Sequence, residues 1–108
     1  MTNSDIFRGY NDLFVLAILN ESDSYGYEIG KTISLLSNEK YIMKETTLYS
    51  VFNRLKKEGL IEDYPGQKTN GRPRTYYRLT QKGKEVLQGK VEEWALVKEI
   101  VENIIKGA

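Results

Sequence analysis

Apolar residues recur at helical spacing in one stretch of the chain that also carries a polar, basic face. Leu48, Val51, Phe52 and Leu55 stand at i, i+3, i+4 and i+7, which predicts the buried face of an amphipathic helix. The opposite face holds hydroxyl, amide and cationic side chains: Thr46, Thr47, Tyr49, Ser50, Asn53, Arg54, Lys56 and Lys57. We expect this helix over about 45–59, with Gly59 as a left-handed residue at its end. The polar face is either a solvated helix surface or a surface that reads a groove of DNA.

Two further helices are predicted before this one. The first is expected to be capped by Ser4 or Asp5 and to continue to about Asn20. Its apolar residues lie on nearly all sides, which is typical of a helix buried between two bodies. Ser24 is expected to cap the second helix, which continues to about Leu36. Two glycines in its first half indicate either the close approach of a neighbour or glycines that are simply tolerated.

The segment after the amphipathic helix predicts a β-hairpin. Residues 60–64 and 75–80 are rich in Tyr, Thr, Leu and Ile, and turn dipeptides such as Asn70-Gly71 separate them. The tip of the hairpin carries the cations Lys68, Arg72 and Arg74 and no acidic residue. Solvation alone does not require such a concentration of positive charge.

Thr80 is expected to cap a last helix that continues to about Lys106. An apolar stripe runs along it at spacings typical of a coiled coil: Leu87, Val91, Trp94, Val97, Val101 and Ile104. The order helix, helix, helix, strand, strand, helix predicts a mostly α fold with a small β-hairpin, a winged helix-turn-helix plus a C-terminal dimerisation helix. We expect one domain, with 1–80 as the DNA-binding region and 81–108 as the dimerisation helix.

The distribution of charge strengthens this interpretation. The chain has 108 residues, 40% of them hydrophobic, which is enough for one modest core, and its net charge is only +1. The stretch from Lys44 to Lys82, however, holds nine Lys and Arg against four Asp and Glu, a net charge of +5. The rest of the chain is net negative. A basic middle indicates a polyanionic partner.

The absence of Cys and His narrows the chemistry further. It excludes disulfides, thiolate zinc sites and Ser-His or Cys-His nucleophile pairs, so we expect neither an enzyme nor a metal or other cofactor. The longest apolar run, Leu13 to Leu19, is far shorter than the ~20 residues that span a bilayer, and the first residues do not resemble a signal peptide. We therefore expect a cytoplasmic protein without a membrane partner.

In a helix-turn-helix, the second helix of the pair lies in the major groove. Asn53 is suited to pairing with adenine, and the neighbouring hydroxyls and cations are suited to phosphate contacts. A wing over about 65–75 would follow the adjacent backbone or minor groove. The predicted DNA-binding residues are Thr47, Tyr49, Ser50, Asn53, Arg54, Lys57, Lys68, Arg72 and Arg74. The alternative function is a winged-helix module that contacts protein or RNA and senses no ligand.

Several linked motifs occur along the chain: Tyr25-Gly-Tyr-Glu-Ile29, Thr47-Leu-Tyr49, Arg54-Leu-Lys-Lys-Glu-Gly-Leu-Ile61, Gly71-Arg-Pro-Arg-Thr-Tyr-Tyr-Arg-Leu-Thr80 and Lys82-Gly83. Together they resemble the PadR family of bacterial transcriptional regulators over about residues 8–105. With one C-terminal helix, the chain is similar to the short members of that family. One departure is Ser50, which stands where members often have a proline.

The resemblance implies a homodimeric repressor that binds palindromic operator DNA through its winged helix. It also implies that the first and last helices form the dimer interface. The interface residues expected on this basis are Leu13, Phe14, Val91, Trp94, Val97, Val101 and Ile104.

Trp94, the only tryptophan, has two interpretations. A tryptophan on an apolar stripe is typical of an anchor in a dimer core. The sequence Glu92-Glu-Trp94, followed by Val97, also resembles the last helix of PadR-like regulators of multidrug transport. In those proteins the tryptophan and its symmetry mate stack flat aromatic compounds. The resemblance thus implies a site at Trp94 and Val97 for a small planar aromatic ligand that relieves repression.

Overall fold

Across the residues that the structure describes, four α-helices and a three-stranded antiparallel sheet form the fold, which confirms the predicted mostly α class and its hairpin. The structure is a computed structural model and describes residues 4–66, 71 and 73–107. After a short 3-10 helix, Ser4–Phe7, the elements are α1 (Asn11–Glu21), β1 (Ser24–Tyr25), α2 (Gly26–Leu36), α3 (Glu45–Lys57), β2 (Ile61–Pro65), β3 (Thr75–Leu79) and α4 (Gln81–Ile105). Within the described ranges, none of the helices combines the length and apolarity needed to span a bilayer.

The predicted start of the first helix is wrong. Helix α1 begins at Asn11, because the preceding segment turns so that a half-buried aromatic ring packs against the loop before α3. The ring of Phe7 stacks on Tyr41 with centroids 4.1 Å apart, and a second ring, Phe14, lies beside both. The backbone N–H of Tyr10 donates to the carbonyl of Phe7 and closes the turn. Stacking with a residue far along the chain thus prevents one continuous helix.

Ser24 does not cap α2, contrary to prediction. It lies in β1, where it pairs with Tyr77 on β3, and the helix begins two residues later. The β2–β3 hairpin has the predicted form, with Ile61 opposite Leu79, and β3 lies between the other two strands. Pairing with β3 fixes the extended backbone of residue 24 and moves the start of α2 to Gly26.

The core lies between α1, α2, α3 and the sheet. The predicted apolar face of α3 is buried at all four positions: Leu48, Val51, Phe52 and Leu55. Phe52 stacks on Tyr77 of β3 with centroids 4.1 Å apart. Burying each such side chain stabilises the fold by roughly 1.5–3 kcal/mol. The packing therefore fixes which side of α3 faces outward.

The structure confirms two predicted helix boundaries, the end of α3 and the start of α4. Gly59 follows α3 with φ +77°, the left-handed conformation in which glycine has no steric penalty. Thr80 caps α4, where its hydroxyl oxygen accepts from the N–H of Gly83 at 3.0 Å and the hydroxyl donates to the carbonyl of Gly59 at 2.8 Å. The start of α4 is thus tied to the corner between α3 and β2.

Helix α4 packs on the core only through its first turns. Gly83 and Leu87 are its buried residues, and every described residue from Val91 onward is exposed within the single chain. At Gly83 the helix passes against the backbone of Leu60, since a Cβ at Gly83 would lie 2.1 Å from that carbonyl oxygen. Farther along, α4 contacts α1 where Trp94 meets Tyr10, and its remaining surface is a long exposed apolar stripe.

Candidate nucleic-acid interface

The side chains of α3 that point directly away from the core form an outer ridge, which we define as Thr46, Ser50, Asn53 and Lys57. All four are exposed. At 3.6 residues per turn they fall within an arc of about 60°, opposite the buried face. The ridge therefore combines hydroxyl, amide and ammonium groups on one accessible surface. Sequence reasoning placed Thr46 on the polar face but did not include it among the contact residues.

Arg54 lies on the flank of α3 that faces α1. Its Nε and Nη2 atoms donate to the carboxylate of Asp12, and this hydrogen bonding raises the pKa of the guanidinium. Thr47 lies on the same flank and is half-buried. Arg54, one of the predicted DNA contacts, is therefore paired with a carboxylate of α1.

Tyr49 lies on the opposite flank, against the start of α2. Its ring meets Phe52 edge to face, with centroids 5.3 Å apart. A Cβ at Gly26 would lie 2.6 Å from the hydroxyl oxygen of Tyr49, so a larger residue would require the Tyr49 ring to shift. Gly30, by contrast, has only an ordinary contact with a leucine of α3. Of the two explanations for the glycines of α2, close approach holds at Gly26.

An ion pair joins the same flank of α3 to the sheet. The ammonium group of Lys56 lies 2.8 Å from the carboxylate of Asp63 on β2. This hydrogen bond holds the pKa of Asp63 below its ordinary value. Both side chains are well exposed, so the pair contributes little to stability, but it fixes where the positive charge lies beside the base of the wing.

Arg74 is the one predicted wing cation whose position the structure describes. Its guanidinium lies over the ring of Tyr25, 4.0 Å from the centroid, and the residue is half-buried. The backbone N–H of Gly66 donates to the carbonyl of Arg74 at 2.7 Å and closes the hairpin below its tip. The predicted contacts Lys68 and Arg72 lie outside the described residues.

A polar cleft of about 400 Å³ separates α3 from the segment before α1. Arg8 lines one side, and the hydroxyl-bearing residues Thr46, Thr47 and Ser50 line the other, together with Arg54. Arg8 is not among the predicted contacts, because the sequence places it within the first helix, far along the chain from the polar face of α3. Only the folded chain brings it to α3.

A second cavity, of about 270 Å³, lies where α4 crosses the start of α1. Trp94 and Val97, the predicted ligand-binding residues, both line it, and so do Tyr10, Leu13 and Glu93. The predicted interface residues do not all share this surface. Phe14 instead lines a separate apolar groove of about 510 Å³ between α1 and α2.

This fold, with an exposed ridge on the third helix and a hairpin directly after it, defines a winged helix-turn-helix protein. The chain matches the model of the Transcriptional regulator PadR-like family over residues 15–89 and belongs to that family. It is therefore a transcriptional regulator with a DNA-binding winged helix, from a family of regulators rather than of enzymes.

Individual relatives agree with this assignment. The chain is 47% identical over 107 residues to an uncharacterized protein X of Lysinibacillus sphaericus, covering 99% of this chain and 98% of that protein. A solved transcriptional regulator from Clostridium thermocellum is 48% identical, covers 95% of this chain and 97% of its own, and superimposes with a TM-score of 0.86. A PadR family transcription regulator from Clostridium difficile R20291 is 34% identical with a TM-score of 0.78, over 90% of this chain and 99% of its own.

Proposed function

We propose that the protein is a homodimeric repressor that presents two copies of α3 to successive major grooves of a palindromic operator, ~34 Å apart. The observation that carries the proposal is the exposed outer ridge of α3, with Asn53 at its centre. An asparagine amide on such a ridge is suited to adenine, while Ser50 and Lys57 are suited to phosphate oxygens. Arg74 lies on the wing, where it would add a backbone or minor-groove contact.

Dimerisation is supported by the apolar surface of α4. Trp94 is 45% exposed and Ile104 is 72% exposed in the single chain, and they belong to a row of large apolar side chains on the free part of the helix. Exposed apolar surfaces of this extent mark interaction sites, and a second copy of the chain would cover them. The groove beside Phe14 offers a further apolar surface for the partner's α4.

We propose that the regions before and after Thr80 have different functions. Residues 1–80 would bind DNA, and 81–108 would form the dimerisation helix of the same domain. The division is one of function, because Leu87 of α4 belongs to the core. The helix is thus anchored in the DNA-binding body and free to pair along its remaining length.

Ligand sensing is supported by the cavity beside Trp94. The indole and the ring of Tyr10 provide aromatic surface, Val97 adds an apolar wall, and Glu93 provides a negative charge. Two such cavities would meet across the dimer axis if the α4 helices pair there. We propose that a planar aromatic cation binds in this space and relieves repression.

A gel shift on the protein's own promoter, at graded salt concentrations, tests the DNA function. We expect a specific shift whose affinity falls steeply with salt, because phosphate contacts release counterions. A promoter–reporter fusion should gain expression when the gene is deleted. A lack of specific shift, with tight binding to an RNA or a protein instead, would favour the alternative interaction module.

A further inference from the structure

The cleft between α3 and the segment before α1 has the donor chemistry of an anion site. Two guanidinium groups, from Arg8 and Arg54, and the hydroxyls of Thr47 and Ser50 line it from elements on both sides. A phosphodiester offers only acceptor oxygens and a negative charge, and such donors are the groups that bind it in protein–DNA complexes. The chemistry of the cleft therefore matches a phosphate.

The Arg54 side chain is held in place before any ligand binds. Asp12 accepts from Nε and Nη2, and neither contact involves Nη1, so the guanidinium keeps donors for a further acceptor. Asp12 also cancels one of the two positive charges. Arg8 brings a second guanidinium group to the cleft from the segment before α1.

The floor of the cleft is made by two buried, hydrogen-bonded side chains. Asn11 and Tyr41 both line it, and the hydroxyl of Tyr41 donates to Oδ1 of Asn11 at 2.7 Å in a buried hydrogen bond. Burial raises the pKa of Tyr41, so this hydroxyl remains a donor at neutral pH. A site with a fixed floor and a fixed guanidinium loses little conformational freedom when it binds.

We propose that this cleft seats one backbone phosphate of the DNA that α3 reads, with Arg8 as one of its cationic contacts. The inference rests on the proposed DNA-binding function and extends it to the segment before α1. It gives α3 a backbone anchor on each flank, the cleft on the side of α1 and the wing on the side of the sheet. The contact would fix the rotation of the outer ridge in the groove.

The test measures binding to promoter DNA by fluorescence anisotropy at graded salt for the wild type, Arg8→Gln and Lys84→Gln. Lys84 is an exposed cation on α4 outside the cleft and serves as the matched control. Arg8→Gln should reduce the slope of log affinity against log salt by about one, whereas Lys84→Gln should leave it unchanged. Thr47→Val, which keeps the shape of the side chain, should weaken binding about 5-fold for all sequences.

Single methylphosphonate substitutions in the DNA locate the contact. At one position the substitution should weaken the binding of the wild type to DNA. The same substitution should cause no further loss of affinity for the Arg8→Gln protein. If Arg8→Gln behaves like Lys84→Gln while the wild type binds specifically, the cleft proposal is overturned and the DNA function stands. If the wild type binds no DNA, the DNA function itself fails.

Inorganic phosphate distinguishes a DNA phosphodiester from a free anion. In the absence of DNA, replacing chloride by phosphate at equal ionic strength should change the melting temperature of the wild type and of Arg8→Gln by the same amount, because phosphate stabilises folded proteins through its exclusion from their surface. A rise with phosphate for the wild type alone, together with an unchanged salt slope on DNA, would assign the cleft to a free phosphate and overturn the proposal.

Discussion

The ring of Tyr10 meets the indole of Trp94 edge to face, with centroids 5.7 Å apart and ring planes at 83°. Tyr10 directly precedes α1, and the next residues, Asn11 and Asp12, bond to the loop before α3 and to α3 itself. Consecutive residues therefore link the proposed ligand cavity on α4 to α3. A ligand that displaced the indole would act on this turn first.

Planar cationic dyes should quench the fluorescence of Trp94 in a saturable way. Stacking on the indole provides the apolar contact, and Glu93 provides a charge beside it. Glu93→Gln should weaken the binding of cationic dyes by roughly 5-fold, since an ion pair between an exposed carboxylate and a dye contributes at most about 1 kcal/mol. The binding of neutral planar compounds should be unaffected. Free tryptophan amide controls for absorption by the dye. The absence of saturable quenching across a panel would remove the ligand proposal.

Val97→Asp should convert the dimer to monomers. A carboxylate on the apolar stripe would be buried without a partner in both protomers, which raises the dissociation constant by roughly 100-fold or more. Sedimentation velocity over a range of concentrations measures this. Asn103→Asp adds the same charge on the opposite side of α4 and should leave the mass unchanged. Equal masses for both variants and the wild type would contradict the α4 interface.

Asn53→Ala and Arg74→Ala should impair DNA binding in different ways. Loss of the amide on the outer ridge should relax discrimination at one base pair by about 1–3 kcal/mol. Loss of the guanidinium on the wing should lower the affinity for all DNA sequences by the same factor, since a backbone contact carries no base information. Binding to a set of operators with single base changes separates the two outcomes. A uniform loss in both variants would refute this division of roles.

Gly83→Ala and Gly89→Ala should have opposite effects on stability. A methyl group at Gly83 meets the backbone carbonyl of Leu60, which cannot move aside cheaply, so we expect a loss of about 1–3 kcal/mol. Gly89 has no neighbour within 4 Å of such a methyl, and alanine should stabilise its helix by about 0.5–1 kcal/mol. Urea unfolding measures both. Similar values for the two variants would mean that α4 does not pack on Leu60 as described.

The features that the sequence predicted correctly depend on local pattern. The buried face of α3, the left-handed Gly59 and the cap at Thr80 each follow from neighbouring residues. The start of α1 and the role of Ser24 could not be predicted in this way. They depend on the stacking of Phe7 with a distant tyrosine and on strand pairing with β3.

The same limit applies to the candidate site. Periodicity identified the outer ridge, since Asn53 and its neighbours share a face of one helix. It could not identify the pairing of Arg54 with Asp12, whose positions are 42 residues apart. Periodicity also could not predict that Arg8 lies at the cleft. Both features arise from tertiary packing rather than from spacing along the chain.

The anchoring of α4 near one end makes the helix a lever. Gly83 holds it tightly against Leu60, Leu87 lies in the core and Trp94 contacts Tyr10, while the far end of the helix lies about 33 Å from Gly83. A tilt of about 10° at Gly83 would displace the far end of α4 by roughly 6 Å. A displacement of the far end would likewise tilt the start of the helix. Two such levers crossed in a dimer would turn small adjustments at their crossing into large changes in the separation of the DNA-binding bodies.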